Sequence, residues 1–189
     1  MLTDLQICNL GLALNGAGPI RSINPPKTSL EVHVAAIYKQ ALVSELTKRR
    51  WVFATVFDYE LTASEVLENV DKPYVYNLPV DCLRPVRQKR TEWFQTGRTL
   101  RSDYDTLVIS YVKQVEEKDF DPLFVDVLAA RIAVNTAEHT TQSSPKKRDV
   151  SNDYDLAVQE AGRVNAFIIG PEDIQDNDDV FSWISSRYA

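Results

Sequence analysis

Along the first fifty residues, apolar side chains recur three and four positions apart. Leu5, Cys8 and Leu12 line one face, with Ile7, Leu10 and Leu14 extending it, which is the period of an amphipathic helix. Thr3-x-x-Gln6 just ahead is a capping box, in which the hydroxyl and the amide satisfy orphan backbone N–H groups. Gly16-Ala17-Gly18-Pro19 then stops the helix, since Gly accepts the left-handed closing residue and Pro cannot continue. A loop containing Pro25-Pro26 follows. A second box, Thr28-x-x-Glu31, opens a helix that runs to about Arg50, with Val34, Ile37, Tyr38, Ala41, Leu42 and Leu46 as its buried stripe. Lys48, Arg49 and Arg50 complement the negative end of its dipole.

At Trp51 the period changes to two. Trp51, Phe53, Thr55, Phe57, Tyr59 and Leu61 alternate with Val52, Ala54, Val56 and Asp58, which predicts a strand beginning at Trp51. Short strands are expected at Tyr74 to Asn77, Cys82 to Lys89 and Leu107 to Val112. Pro73, Pro79, Pro85 and Gly97 punctuate them and favour antiparallel edges and turns. Helix returns at Asp121-Pro122, a capping carboxylate with Pro in the first turn, and its core face is Leu123, Phe124, Val127, Leu128, Ala130, Val134 and Ala137. The alanines permit close approach of a neighbouring helix. Ser144-Pro145 opens a fourth helix with Val150, Tyr154, Ala157, Val158, Ala161, Val164 and Ile168 as its stripe, ended by Gly170-Pro171. The expected fold is therefore α+β: a bundle of about four helices (1–50 and 118–170), an inserted small antiparallel β domain (51–117) and an extended C-terminal tail (171–189). That tail joins Glu172, Asp173, Asp176, Asp178 and Asp179 to Phe181, Trp183, Ile184 and Tyr188. The aromatic end reads equally as an anchor for a partner groove and as a segment folded back on the chain's own core.

Composition narrows the field. The chain has 189 residues, 44% hydrophobic and 25% charged, which excludes disorder throughout. Its net charge of −6 argues against coating nucleic acid by overall charge. No apolar run approaches the roughly 20 residues of a membrane span, and the first residues lack a signal peptide's basic start. No membrane partner is expected, and synthesis in a cytoplasm is. Cys8 and Cys82 read as reduced structural thiols. His33 and His139 are read as scattered helix-surface residues, without CxxC or HxxxH spacing, so no metal or cofactor is expected.

Motifs for chemistry are sparse. Gly16-x-Gly18 meets Arg21 where a third Gly would stand, and there is no GK[ST] or GxSxG. Asp103 with Asp105 and Asp119 with Asp121 are carboxylate pairs that a glycosidase could use, but Asp103 and Asp105 also read as turn residues and Asp121 as a cap. Asp173, Asp176 and Asp178 lack the Gly and closing Glu of an EF-hand. No catalytic residue is assigned. One charge feature exceeds background: Arg84, Arg87, Lys89, Arg90, Arg98 and Arg101 stand against Glu92 alone between 84 and 101, with Trp93 and Phe94 interleaved. This is a solvated strand face, a patch that meets acidic groups on another copy or on the tail, or a surface lining a channel for a polyanion.

Five stretches, in order, resemble the head-to-tail adaptor family of short-tailed bacteriophages, also called tail tubular protein A. They are Ile7-Cys8-Asn9, Arg50-Trp51-Val52-Phe53-Ala54, Tyr74-Val75-Tyr76-Asn77-Leu78-Pro79-Val80-Asp81-Cys82-Leu83-Arg84, Thr96-Gly97-Arg98-Thr99-Leu100-Arg101-Ser102-Asp103, and Phe120-Asp121-Pro122-Leu123-Phe124 running into Leu128-Ala129-Ala130-Arg131. Pro85 departs from the pattern, where a β-branched residue is expected. The resemblance implies a non-enzymatic protein of the virion neck, forming a ring of commonly twelve copies between the portal protein and the tail nozzle protein. DNA would pass through it without sequence specificity. It also implies that Phe181, Trp183, Ile184 and Tyr188 dock the portal, and that Arg84, Arg87, Lys89, Arg90 and Arg98 lie at the channel or a subunit contact. Two alternatives come from other classes: a virion-associated glycan hydrolase using Asp103 or Asp119, and a DNA-binding accessory factor.

Overall fold

A computed structural model describes residues 2–87, 92–141 and 144–169. It is an α+β fold of two compact units, one drawn from Met1–Arg49 and Val115–Ile168, the other from Arg50–Gln114. The tail residues Phe181, Trp183, Ile184 and Tyr188, and the basic residues Lys89 and Arg90, lie outside the described residues.

The helical unit holds α1 (Asp4–Leu14), α2 (Ser29–Lys48), α3 (Pro122–Thr141) and α4 (Ser144–Ile169). Both capping boxes form: Thr3 and Gln6 close on each other at 2.8 and 3.3 Å, Thr28 and Glu31 at 2.9 and 3.2 Å. Asp121 caps α3 as expected, its carboxylate accepting the Leu123 amide at 2.8 Å. Ile7, Cys8, Leu12, Val34, Leu46, Phe124, Leu128 and Ile132 are fully buried. The apolar face of α1 is narrower than its sequence suggests, because Leu10 and Leu14 are exposed while Gly11 is buried. At Gly11 the helix lies directly on α3, where a Cβ would stand 2.7 Å from the Ala129 carbonyl oxygen and 2.9 Å from Ile132. Asn15 at the end of α1 reinforces this crossing by donating to the Ala133 carbonyl and to Thr136 Oγ1, both at 2.9 Å. Burial, with a smaller push from Asp4, raises the Cys8 thiol to about 12, so it is an inert packing group.

In the β unit the strand does not begin at Trp51. Val52–Ala54 form a 3-10 turn, with the Ala54 amide and the Thr55 hydroxyl both donating to the Trp51 carbonyl, and β1 is Thr55–Thr62. Nor does the alternation persist. The register shifts between Val56 and Tyr59, where Asp58 takes φ +50°, so Phe57 and Tyr59 are both exposed. The remaining strands are β2 (Glu65–Val66), β3 (Tyr74–Asn77), β4 (Cys82–Val86), β5 (Trp93–Thr96), β6 (Thr99–Ser102) and β7 (Thr106–Lys113). They make two antiparallel sheets, ordered β1-β7-β4 and β2-β3-β6-β5. Leu61, Tyr76, Leu78, Cys82, Trp93, Leu100, Leu107, Ile109 and Tyr111 form a core that both sheets share. The strand expected from Cys82 to Lys89 ends at Val86, and Pro85 sits within it on an edge, the place in a sheet that tolerates a missing N–H.

Candidate functional site

Among the described residues of the basic stretch, Arg87 and Arg98 are exposed while Arg84 and Arg101 are half-buried, and Arg87, Arg98 and Arg101 have identifiable partners within the fold. Arg98 leaves the β5–β6 turn, where Gly97 takes φ +58°, and its guanidinium donates to the carbonyls of Pro79 (2.5 Å), Val80 (3.4 Å) and Cys82 (3.4 Å). Arg101 is spent likewise, donating to the carbonyls of Lys72 (3.1 Å) and Asp71 (2.9 Å) while stacking over Phe94. Arg87 lies over the Trp93 ring at 5.2 Å, and Arg84 is half-buried in β4. Arg98 thereby holds the 79–82 turn.

That turn is tied from several sides. The Cys82 amide donates to the Pro79 carbonyl at 3.0 Å, Gln114 N–H to the Asp81 carbonyl at 2.9 Å, and the Tyr111 hydroxyl to the Asp81 carboxylate at 3.3 Å. At its tip Val80 is 98% exposed. The turn and its clasp belong to the stretches 74–84 and 96–103, which β3 and β6 also pair residue by residue from Tyr74↔Ser102 to Asn77↔Thr99. Of the acids considered for hydrolysis, Asp103 pairs with Lys72 at 3.0 Å, and Asp119 closes a 3-10 turn at Glu117–Asp119.

The helical unit carries a second cluster that the sequence reading missed. Glu45, 1% exposed, accepts from Lys48 Nζ at 2.7 Å and from the Tyr154 hydroxyl at 3.1 Å, with Arg131 Nε at 3.6 Å. Arg131 and Lys48 both stack on the Tyr154 ring, at 5.4 and 5.7 Å. Burial, then the Glu45 charge, raises the Tyr154 hydroxyl above its ordinary pKa, so it stays protonated and donates. Beside this cluster a groove of about 390 Å³ is lined by His33, Gln40 and Ser44 of α2, Arg131 and Asn135 of α3, and Lys147 of α4, among others. His33 and His139, read from sequence as scattered, are brought together with ring centroids 4.6 Å apart. Among the described residues, no group of three or more His, Cys, Asp or Glu is arranged to hold a metal ion, and no helix is long and apolar enough to cross a membrane.

No protein-family model matches the chain, and no curated protein matches it.

Proposed function

We propose that this chain is a structural head-to-tail adaptor of a short-tailed phage, a ring subunit seated between portal and tail nozzle in the virion neck. The observation that carries the reading is the order of the five family-like stretches along the chain. Two features of the fold support it. The stretch 96–103 supplies the Arg98 clasp on the stretch 74–84, so the shared wording coincides with a tied, outward-pointing turn. Helix α4 also leaves Leu156, Val164, Phe167 and Ile168 exposed, Phe167 by 80%. A ring subunit covers apolar surface of this kind with its neighbours.

In this reading the segment 171–189 docks the portal through Phe181, Trp183, Ile184 and Tyr188, and DNA passes through the assembled ring. The deciding experiment is electron microscopy of the purified protein mixed with its portal. Rings seated on the portal, absent when 171–189 are deleted, are the expected result. A phage lacking the protein whose filled heads still acquire tails would overturn the reading.

A further inference from the structure

Helix α4 carries an outward stripe with the pattern apolar, acidic, basic, apolar. Its members, Leu156, Glu160, Arg163 and Phe167, are spaced four, three and four residues apart, which keeps them on one face of the helix. Leu156 is 64% exposed and Phe167 80%, about 16 Å apart along the axis, and Glu160 and Arg163 are exposed between them. Val164 and Ile168 widen the apolar rim, while the buried Val150 and Ala161 mark the side turned inward, Val150 packing with Ala133 and Ala137 of α3. Among the described residues, neither Glu160 nor Arg163 forms an ion pair. Glu160 instead lies near a like charge: burial, then Glu160, raises the carboxyl of Asp126 on α3 above its ordinary value. The stripe thus presents an acid without a cation and, one turn on, a cation without an acid.

We propose that this stripe is the face on which two copies of the chain pair, their α4 helices antiparallel about a two-fold axis between residues 161 and 162. Spacing and sign together select that arrangement. Because four, three and four reads alike in both directions, antiparallel helices set Leu156 on the partner's Phe167 and Glu160 on the partner's Arg163, each pair occurring twice. A parallel pairing would oppose Glu160 to Glu160 and Arg163 to Arg163, and like charges disfavour it. The chain's own segment 172–179 is a poor cover for the stripe. Its five acids would meet Asp149, Asp153, Asp155 and Glu160, which α4 exposes against Arg148 and Arg163. The contact is small and mixed with charge, so the dimer is weak and concentration-dependent. A two-fold contact closes on itself and does not propagate round a ring, so the dimer is a form of the free chain and is independent of the ring reading.

Sedimentation equilibrium of the full-length protein without portal, from micromolar to millimolar concentration, tests the pairing by charge exchange. Glu160→Arg alone and Arg163→Glu alone each oppose like charges twice, and each should weaken the dimer by about tenfold or more. The double variant, Glu160→Arg with Arg163→Glu, restores both pairs with their signs exchanged and should recover most of the wild-type affinity. Mixing the two single variants should likewise give a heterodimer. Both positions are exposed, so the helical circular dichroism of every variant should match wild type. Deleting 171–189 should leave the dimer intact. A full-length protein that stays monomeric, a double variant that associates no better than the single ones, or a dimer that requires 171–189 would each overturn the proposal. Ring formation on the portal is a separate readout and stands or falls by itself.

Discussion

Glu31 and Arg98 hold loops by the same device with opposite charge, each spending an ionised side chain on backbone groups. The Glu31 carboxylate accepts from the amides of Lys27 (2.7 Å), Thr28 (2.9 Å), Arg21 (3.1 Å) and Ser22 (3.2 Å). These bonds, Lys27's foremost, bring its pKa down to about 2 against the partial cost of burial. Because the folded value lies below the unfolded one, the stabilisation is complete above the ordinary carboxylate range of about 4.3 and drains away as pH falls toward 2. Glu31→Gln should therefore lower the melting temperature by several degrees at neutral pH, and its deficit against wild type should shrink through that window. A deficit that stays constant across a pH series of thermal melts would refute the assignment. Arg98 makes a different forecast. Lys cannot span three carbonyls, so Arg98→Lys and Arg98→Ala should both cost about 1 kcal/mol and speed amide exchange at Cys82 and Gln114. Rescue by Lys would mean that charge alone matters at this position.

At the scale of elements, the tightest joint is α1 on α3. Alanine would favour an isolated helix at Gly11 by about 1 kcal/mol, but the added Cβ meets the Ala129 carbonyl oxygen at 2.7 Å, and backbone oxygen cannot swing away. Overpacking of about 1–3 kcal/mol therefore wins, and Gly11→Ala should destabilise the helical unit in urea unfolding followed by helical circular dichroism. A stabilised variant would show that the helices can part without cost. The same joint shows why the sequence was readable in some places and opaque in others. Capping boxes and the Asp121-Pro122 start are local, formed by residues within three positions, so the helices and their order were legible. Gly11 stands among leucines and looks like a helix residue of no consequence; only the neighbour on α3 gives it a role. Asp58 is similar, since a bulge with φ +50° leaves the apolar spacing of β1 intact while turning Phe57 and Tyr59 outward. The β5–β6 hairpin escaped notice because its strands are only four residues long and its arginines read as a charge patch instead of as ties to distant carbonyls. Glu45, Arg131 and Tyr154 sit on three separate helices, and no spacing rule along the chain relates them.

For the molecule as a whole, the decisive feature is that the sequence of one unit is inserted within the sequence of the other. The chain leaves the helices at Arg49 and re-enters at Val115, and the strands nearest these crossings pair with each other, Thr55 against Val112 and Val56 against Tyr111. Paired Cα atoms in an antiparallel ladder lie only about 5 Å apart, so exit and entry stay within reach of a short connection. A flexible linker of about ten Gly and Ser residues in place of 50–114 should then close the helical unit without strain. The shortened chain should retain the helical circular dichroism of α1 to α4 and unfold cooperatively, because the Gly11 crossing, the Asn15 bonds and the Glu45 cluster are all made inside that unit. Self-association provides the stronger discrimination. If the exposed Leu156, Val164, Phe167 and Ile168 of α4 are the surface by which copies meet, the shortened chain should still assemble in analytical ultracentrifugation, and Phe167→Asp should abolish that assembly in both forms. Assembly lost on removing 50–114 yet unmoved by Phe167→Asp would instead place the contact on the β unit, where Phe57, Tyr59, Val66, Tyr104 and the clasped Val80 are among the exposed apolar groups.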